Sequence, residues 1–175
     1  MNNLPTLTIR GYRSDDWDNL FALLTHPDIV RDSTRLPYAH DETLRDLFSS
    51  LPANLHCLVA ETSLPSGRTR IIGLAELKAL PRRRRHAGTL QQIMHPDYHT
   101  GEAPAALLGA VLDLADNWLG LRRIEATLYV DQTDLIAFYE QHGFQAEATL
   151  RRYALRAGAY CDAVLLARLL SGERT

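Results

Sequence analysis

The order of elements in the second half of this chain constrains its fold more than any other feature. Ala105 to Leu119 places Leu107, Leu108, Val111, Leu112, Ala115 and Trp118 on a helical repeat, with Gly120 as a ready stop. Arg123 to Val130 is rich in β-formers, and Asp131 to about His142 returns to a helical pattern ended by Gly143. Phe144 to Arg156 and Ala159 to Leu169 then read as two long strands around the turn Ala157-Gly158. Strands separated by helices in this way require part of the sheet to be parallel.

The first half supplies the remaining strands. Leu7 to Arg10 reads as a short strand, and Ser14, Asp15 and Asp16 offer caps before Trp17, Leu20, Phe21 and Leu24 on one helical face. His26-Pro27 ends this helix, because the residue before a proline is pushed out of the α region. Asp41 is the expected cap of a second helix through about Leu51, with Leu44, Leu47, Phe48 and Leu51 as its apolar face and Pro52 as its stop. His56 to Glu61 and Arg70 to Leu80 make a hairpin around LPSGRT. A second turn, Pro81 to Arg85, leads into a strand from His86 to Met94 that His95-Pro96 terminates. The expected fold is α/β: a mixed, mostly antiparallel twisted sheet of about seven strands flanked by about four helices, forming one domain over residues 1–175.

Composition narrows the function classes. With 46% hydrophobic and 23% charged residues the chain is of the globular type, and a net charge of −2 gives no global reason to bind nucleic acid or an anionic membrane. The four consecutive arginines from Arg82 lack interleaved aromatics and read as a solvated turn or an inter-subunit contact. The N-terminus has no signal-peptide pattern, and no uncharged apolar run reaches the ~20 residues needed to span a bilayer, so a cytoplasmic location is expected. Cys57 and Cys161 each sit in an apolar run and are expected to be free buried thiols. The seven histidines show no metal-ligand spacing, so no metal is expected. Neither a Gly-x-Ser-x-Gly elbow nor a Walker-type phosphate loop is present.

The stretch from Asp116 to Phe144, DNWLGLRRIEATLYVDQTDLIAFYEQHGF, resembles the second half of a GNAT N-acetyltransferase domain. Phe138-Tyr139 followed by Gly143-Phe144 carries the resemblance most strongly, supported by the tail RRYALRAGAYCDAVLLARL, the Arg-rich turn with His86 and the opening TIRGYRSDD. The nearest resemblance is to bacterial enzymes acting on small amines or amino acids. It implies direct acetyl transfer from acetyl-CoA to an amine, with Tyr139 in the place of the tyrosine that reprotonates the CoA thiolate. It further implies that pantetheine adds along the fourth strand near Ile93 and Met94, and that diphosphate sits on the amides opening the following helix. The acceptor pocket is then expected around Leu36 to His40 and the third and fourth strands.

Several positions depart from the family pattern. The diphosphate loop, Gln or Arg, two residues, Gly, one residue, then Gly or Ala, is here His99, Thr100, Gly101, Glu102, Ala103, Pro104. Counted without a gap, Glu102 and Pro104 replace the two small residues, bringing a negative charge and removing an N–H donor. A one-residue offset restores Gly101 and Ala103 to those places, with Tyr98 in the Gln or Arg position. The same residues also read simply as a good helix start: Thr100 as cap, an acid in the first turn and an early proline. Gln132 stands where many members have Asn, and Thr89 where an acidic residue often assists the amine. Glu76 is therefore the first candidate for the base, with His95 and His99 behind it. Two functions follow: an N-acetyltransferase on a small amine, in which a homodimer paired through the final hairpin is expected, or a GNAT-like fold that no longer binds acetyl-CoA and serves as a ligand-binding or protein-interaction module.

Overall fold

The computed structural model describes residues 6–38 and 40–170. Its elements are β1 (Leu7–Gly11), α1 (Trp17–Leu24), α2 (Pro27–Arg31), α3 (Asp41–Ser49), β2 (Leu55–Ser63), β3 (Thr69–Ala79), β4 (Ala87–Met94), α4 (Glu102–Asp113), β5 (Arg123–Tyr129), α5 (Thr133–Gln141), β6 (Gln145–Arg156) and β7 (Ala159–Leu169). The strands are hydrogen-bonded in the order β1-β2-β3-β4-β5-β7-β6. β1–β2, β5–β7 and β6–β7 pair antiparallel, whereas β4 and β5 run parallel. The mixed, mostly antiparallel seven-stranded sheet expected from the element order is thus the one found, and the parallel pair falls where a helix separates the strands.

The chain divides into two compact units, one taking residues up to Leu77 with Gln92–Asp113, the other Lys78–Gln91 with residues from Leu114 onward. The first unit is organised around a core in which Trp17, Leu20 and Leu24 of α1 meet Leu44 and Phe48 of α3, Val59 of β2, Ile71 and Leu74 of β3, and Ile93 of β4. α4 lies against β1 and β2, and its Ala103, Leu107, Leu108 and Val111 are buried at the spacing of one helical face. In the second unit β5 and β6 both pair with β7, and β6 carries two register shifts, between Ala146 and Ala148 and between Leu150 and Ala154. The turn joining β6 to β7 places Ala157 at φ 49° and Gly158 at φ 83°, the two left-handed residues of a two-residue hairpin.

Several boundaries differ from the sequence expectation. Pro27 stops α1 but also opens α2, since a proline fits the first helical position. His40, not Asp41, is the cap position of α3; Asp41 is its first residue and accepts a 2.7 Å hydrogen bond from the Trp17 indole. α3 buries Leu44 and Phe48 and ends at Ser49, while Leu47 is exposed. α4 begins at Glu102 rather than Ala105, and past Asp113 the helical run widens to a π-helical stretch, Leu114–Trp118, with the Leu119 N–H donating to the Leu114 carbonyl at 3.0 Å. Within that stretch Asp116 takes a two-pronged contact from Arg168 of β7, at 2.9 and 2.7 Å. Trp118, assigned to the buried face by periodicity, is exposed because the wider turn rotates it off that face. α5 starts at Thr133 rather than Asp131. Cys57 is buried as expected and Cys161 is half-buried; both are free.

Candidate active site

The parallel ladder between β4 and β5 covers three residue pairs, Ala87–Arg123, Gly88–Ile124 and Thr89–Glu125. Beyond them β4 continues for five residues to Met94, and β5 goes on pairing with β7. The side chains at the end of β4 lie on opposite faces of the sheet and both are packed: Ile93 joins the core, and a Cβ built on Gly73 of β3 would come within 2.6 Å of the Met94 sulfur. Met94 thus fills the space that a glycine leaves on the neighbouring strand. What Ile93 and Met94 can offer a ligand is main chain rather than side chain.

The junction from β4 to α4 is set by His95. Its Nδ1 accepts the Asp97 N–H at 3.2 Å, capping a short 3-10 turn, Pro96–Tyr98. His99 is exposed and its Nδ1 donates to the Pro96 carbonyl, which folds the ring back on the turn. Thr100 is exposed, Gly101 adopts φ 86°, and Glu102 opens α4 with its side chain in solvent. A glycine is required by that backbone angle, and a Cβ there would meet nothing within 4 Å. The amides of Glu102 and Ala103 lie in the first turn, where helix geometry provides no carbonyl for them. Pro104 offers no amide; its carbonyl accepts a 3.0 Å hydrogen bond from the Gln92 side chain.

In the second unit, Gln132 closes the turn from β5 to α5: its Oε1 accepts the Tyr129 N–H at 2.9 Å, and its own N–H donates to the Tyr129 carbonyl at 3.0 Å. Its amide oxygen is spent on that turn. Tyr139 is 1% exposed, its ring packed edge-on against Phe144 at 5.0 Å and Phe138 at 5.9 Å. Burial raises its phenol far above the ordinary value of 10, so the proton stays on throughout the neutral range.

The other polar candidates lie in the first unit. Glu76 of β3 is not a solvent-facing strand residue: it is mostly buried and accepts a 3.4 Å hydrogen bond from Arg35, in the loop between α2 and α3. Arg35 also lines a cavity of about 270 Å³, whose apolar wall includes Phe21, Leu24, Val30 and Leu44. Leu36 and Tyr38 edge the same cavity. Sequence reasoning passed over Arg35, although it is the one arginine in the loop Ser33–His40. Cys57 is no nucleophile, since burial first and the Glu76 carboxylate second push its thiol up to about 12.

His95 is not placed as a base. Its Nδ1 already accepts the Asp97 N–H, and its Nε2 lies 2.7 Å from the cationic Arg70 guanidinium, a neighbour that disfavours a second proton on the ring. His26 repeats the same arrangement, its Nδ1 accepting from Asp28 N–H at 3.3 Å, and the two imidazoles meet edge to face at 5.2 Å. Burial first and Arg70 second lower the His95 pKa below 6.5, against a smaller opposing pull from Asp97 and with His26 adding to the lowering. The unfolded chain therefore binds a proton that the folded chain refuses, and stability falls as pH drops from 7 through 6.5. Thermal melts are expected to show that loss between pH 7 and 5.5 in the wild type and a flatter profile in His95→Asn, which keeps a capping oxygen but cannot titrate. Equal slopes would dismiss His95 as the source.

This geometry has close counterparts. A family model described as an acetyltransferase (GNAT) domain matches residues 6–145. The L-amino acid N-acetyltransferase AaaT of Escherichia coli (strain K12) is 25% identical over 166 residues, covering 95% of this chain and 99% of that protein. Among solved structures, a GNAT-family acetyltransferase from Streptococcus pneumoniae superposes with a TM-score of 0.76 at 25% identity, covering 94% of this chain and 100% of that one. Spermidine N-acetyltransferase from Vibrio cholerae, in complex with CoA and spermine, superposes with a TM-score of 0.81 at 22% identity, covering 93% and 95% of the two chains. From the family match and a fold shared over nearly its whole length, the chain belongs to the GNAT acetyltransferase family.

Proposed function

We propose that the protein transfers the acetyl group of acetyl-CoA to the amine of a small molecule such as an amino acid, the whole chain working as one acyltransferase domain. The amine nitrogen attacks the thioester carbonyl carbon, the C–S bond breaks, and CoA leaves as a thiolate. One proton is lost by the amine and one is gained by the thiolate, so the reaction needs a base and an acid but no covalent enzyme intermediate. Glu76 is assigned the first role and Tyr139 the second. Pantetheine runs along the main chain of β4 near Ile93 and Met94. The diphosphate is received at His99, Thr100, Gly101, Glu102 and Ala103, with the Gln132 amide nitrogen as a further donor.

The observation that carries this reading is Gly101, whose left-handed backbone directly precedes the two amides that open α4. Pro104 subtracts one donor from that turn, and Glu102 points its charge into solvent where screening weakens it. The pairing of two copies through the exposed edge strand β6, and a cytoplasmic location, belong to the same proposal. Among the described residues no helix is long and apolar enough to cross a membrane.

Titration with acetyl-CoA and CoA tests the reading. A ligand at 100 times its Kd should stabilise the fold by about 2.7 kcal/mol, which appears as a clear rise in melting temperature. Flat melts for both compounds at millimolar concentration would return the chain to the alternative of a binding module without catalysis.

A further inference from the structure

The arginines that hold this fold together are each engaged in two-pronged or doubled ion pairs. Arg10 contacts both Asp16 and Glu61, Arg123 contacts Glu125 and Glu147, and Arg168 takes both oxygens of Asp116. Arg35 is different. Its guanidinium has five N–H donors, and among the described residues it makes one hydrogen bond, to Glu76 at 3.4 Å. Both side chains retain some exposure, 19% and 17%, and among the described residues Arg35 is the one charged residue lining the 270 Å³ cavity. The remainder of the wall is dominated by Phe21, Leu24, Val30 and Leu44. A cation, an anion in loose contact with it and an apolar recess therefore stand together in one unit.

We infer that Arg35 and Glu76 read the zwitterion of an α-amino acid, Arg35 taking its carboxylate and Glu76 its amine, while the cavity beside Arg35 takes an uncharged, apolar side chain. The inference rests on the acetyltransferase reading and specifies its acceptor. An α-amino acid carries its two charges on a single carbon, so it needs an opposed pair of charges next to each other, which is what a contact ion pair provides. Arginine matches a carboxylate with two parallel N–H bonds, and among the described residues one of the five Arg35 donors is committed. The volume lies below the usual range for drug-sized ligands and suits one side chain rather than a peptide. A polyamine is disfavoured, since with one amine at Glu76 its remaining cations would find no carboxylate among the described residues of the cavity wall, where the charged group is Arg35.

Acceptor kinetics with the full chain at saturating acetyl-CoA, following released thiol, decide the matter. Leucine, leucine methyl ester, isoamylamine and spermidine are compared in the wild type, R35A and R35Q. Because a charge-assisted hydrogen bond to a buried partner is worth roughly one to two orders of magnitude in binding, leucine should exceed isoamylamine by about 100-fold in kcat/KM. In R35A and R35Q the leucine-to-isoamylamine ratio should collapse toward one, through KM more than kcat. Comparable rates for isoamylamine and leucine in the wild type, or an unchanged ratio in both variants, would overturn the assignment while leaving the enzyme an acetyltransferase. Thiol release with none of the four acceptors would instead remove the small-amine reading and this inference with it. Melting curves of both variants confirm that they are folded before the ratio is read.

Discussion

Tyr139→Phe is expected to lower turnover by about 100- to 10,000-fold, the usual contribution of a positioned acid, while leaving the Kd for CoA unchanged. The substitution removes only the hydroxyl, so the ring still packs between Phe138 and Phe144 and the melting temperature should barely move. A phenol raised far above 10 would be a poor acid for a thiolate in water. Inside the protein the comparison changes, because desolvation raises thiols as well: Cys57 is driven to about 12 by the same cause. On the proposed reading a thiolate leaving beside Tyr139 would be raised by desolvation in the same way, which narrows its mismatch with the phenol. Single-turnover rates for wild type and variant give the answer; equal rates would leave Tyr139 as a packing residue only.

The second large effect concerns stability. Arg10→Met is expected to destabilise the fold by roughly 3 kcal/mol at pH 7, the low end of the range for breaking a buried ion pair. Arg10 grips both oxygens of Asp16 at 2.7 Å and also contacts Glu61, and Asp16 additionally accepts the Arg13 N–H at 2.8 Å. Without the guanidinium two mostly buried carboxylates face each other, Asp16 with 8% and Glu61 with 17% of the side chain exposed. In the wild type, burial pushes the Asp16 carboxyl up, but Arg10 and the Arg13 amide together outweigh it and hold it below 3.8. That stabilisation is present above about pH 4 and is lost as pH falls through the lowered folded value. Urea melts should therefore show a wide gap between wild type and variant at pH 7 that narrows in acid. A gap under about 1 kcal/mol at pH 7 would mean that the cluster is no better than a surface pair.

Local features carried most of the fold because they act locally. The repeat of Leu107, Leu108 and Val111, the Pro stops and the Ala157-Gly158 turn each fix an element from neighbouring residues, and each element was found. Pro27 ends α1 as its position before a helical break suggests, but a proline also fits a first helical turn, and it opens α2 as well. The packing of Tyr139 against Phe138 and Phe144 follows from residues close together along the chain. Arg35 was not legible in the sequence, because its meaning depends on Glu76, 41 residues away on another element. The position of β7 between β5 and β6 is likewise a fact of long-range pairing that no periodicity encodes.

The unequal burial of the two thiols bears on how the reaction can be watched. Cys57 is enclosed and held protonated, so an alkylating or disulfide-exchange reagent at neutral pH meets little nucleophile there. Cys161, half-buried on β7, is the more accessible of the two thiols. A chromogenic count of coenzyme release will accordingly start from a background of at most one equivalent, and Cys161→Ser offers an optically silent version of the same enzyme.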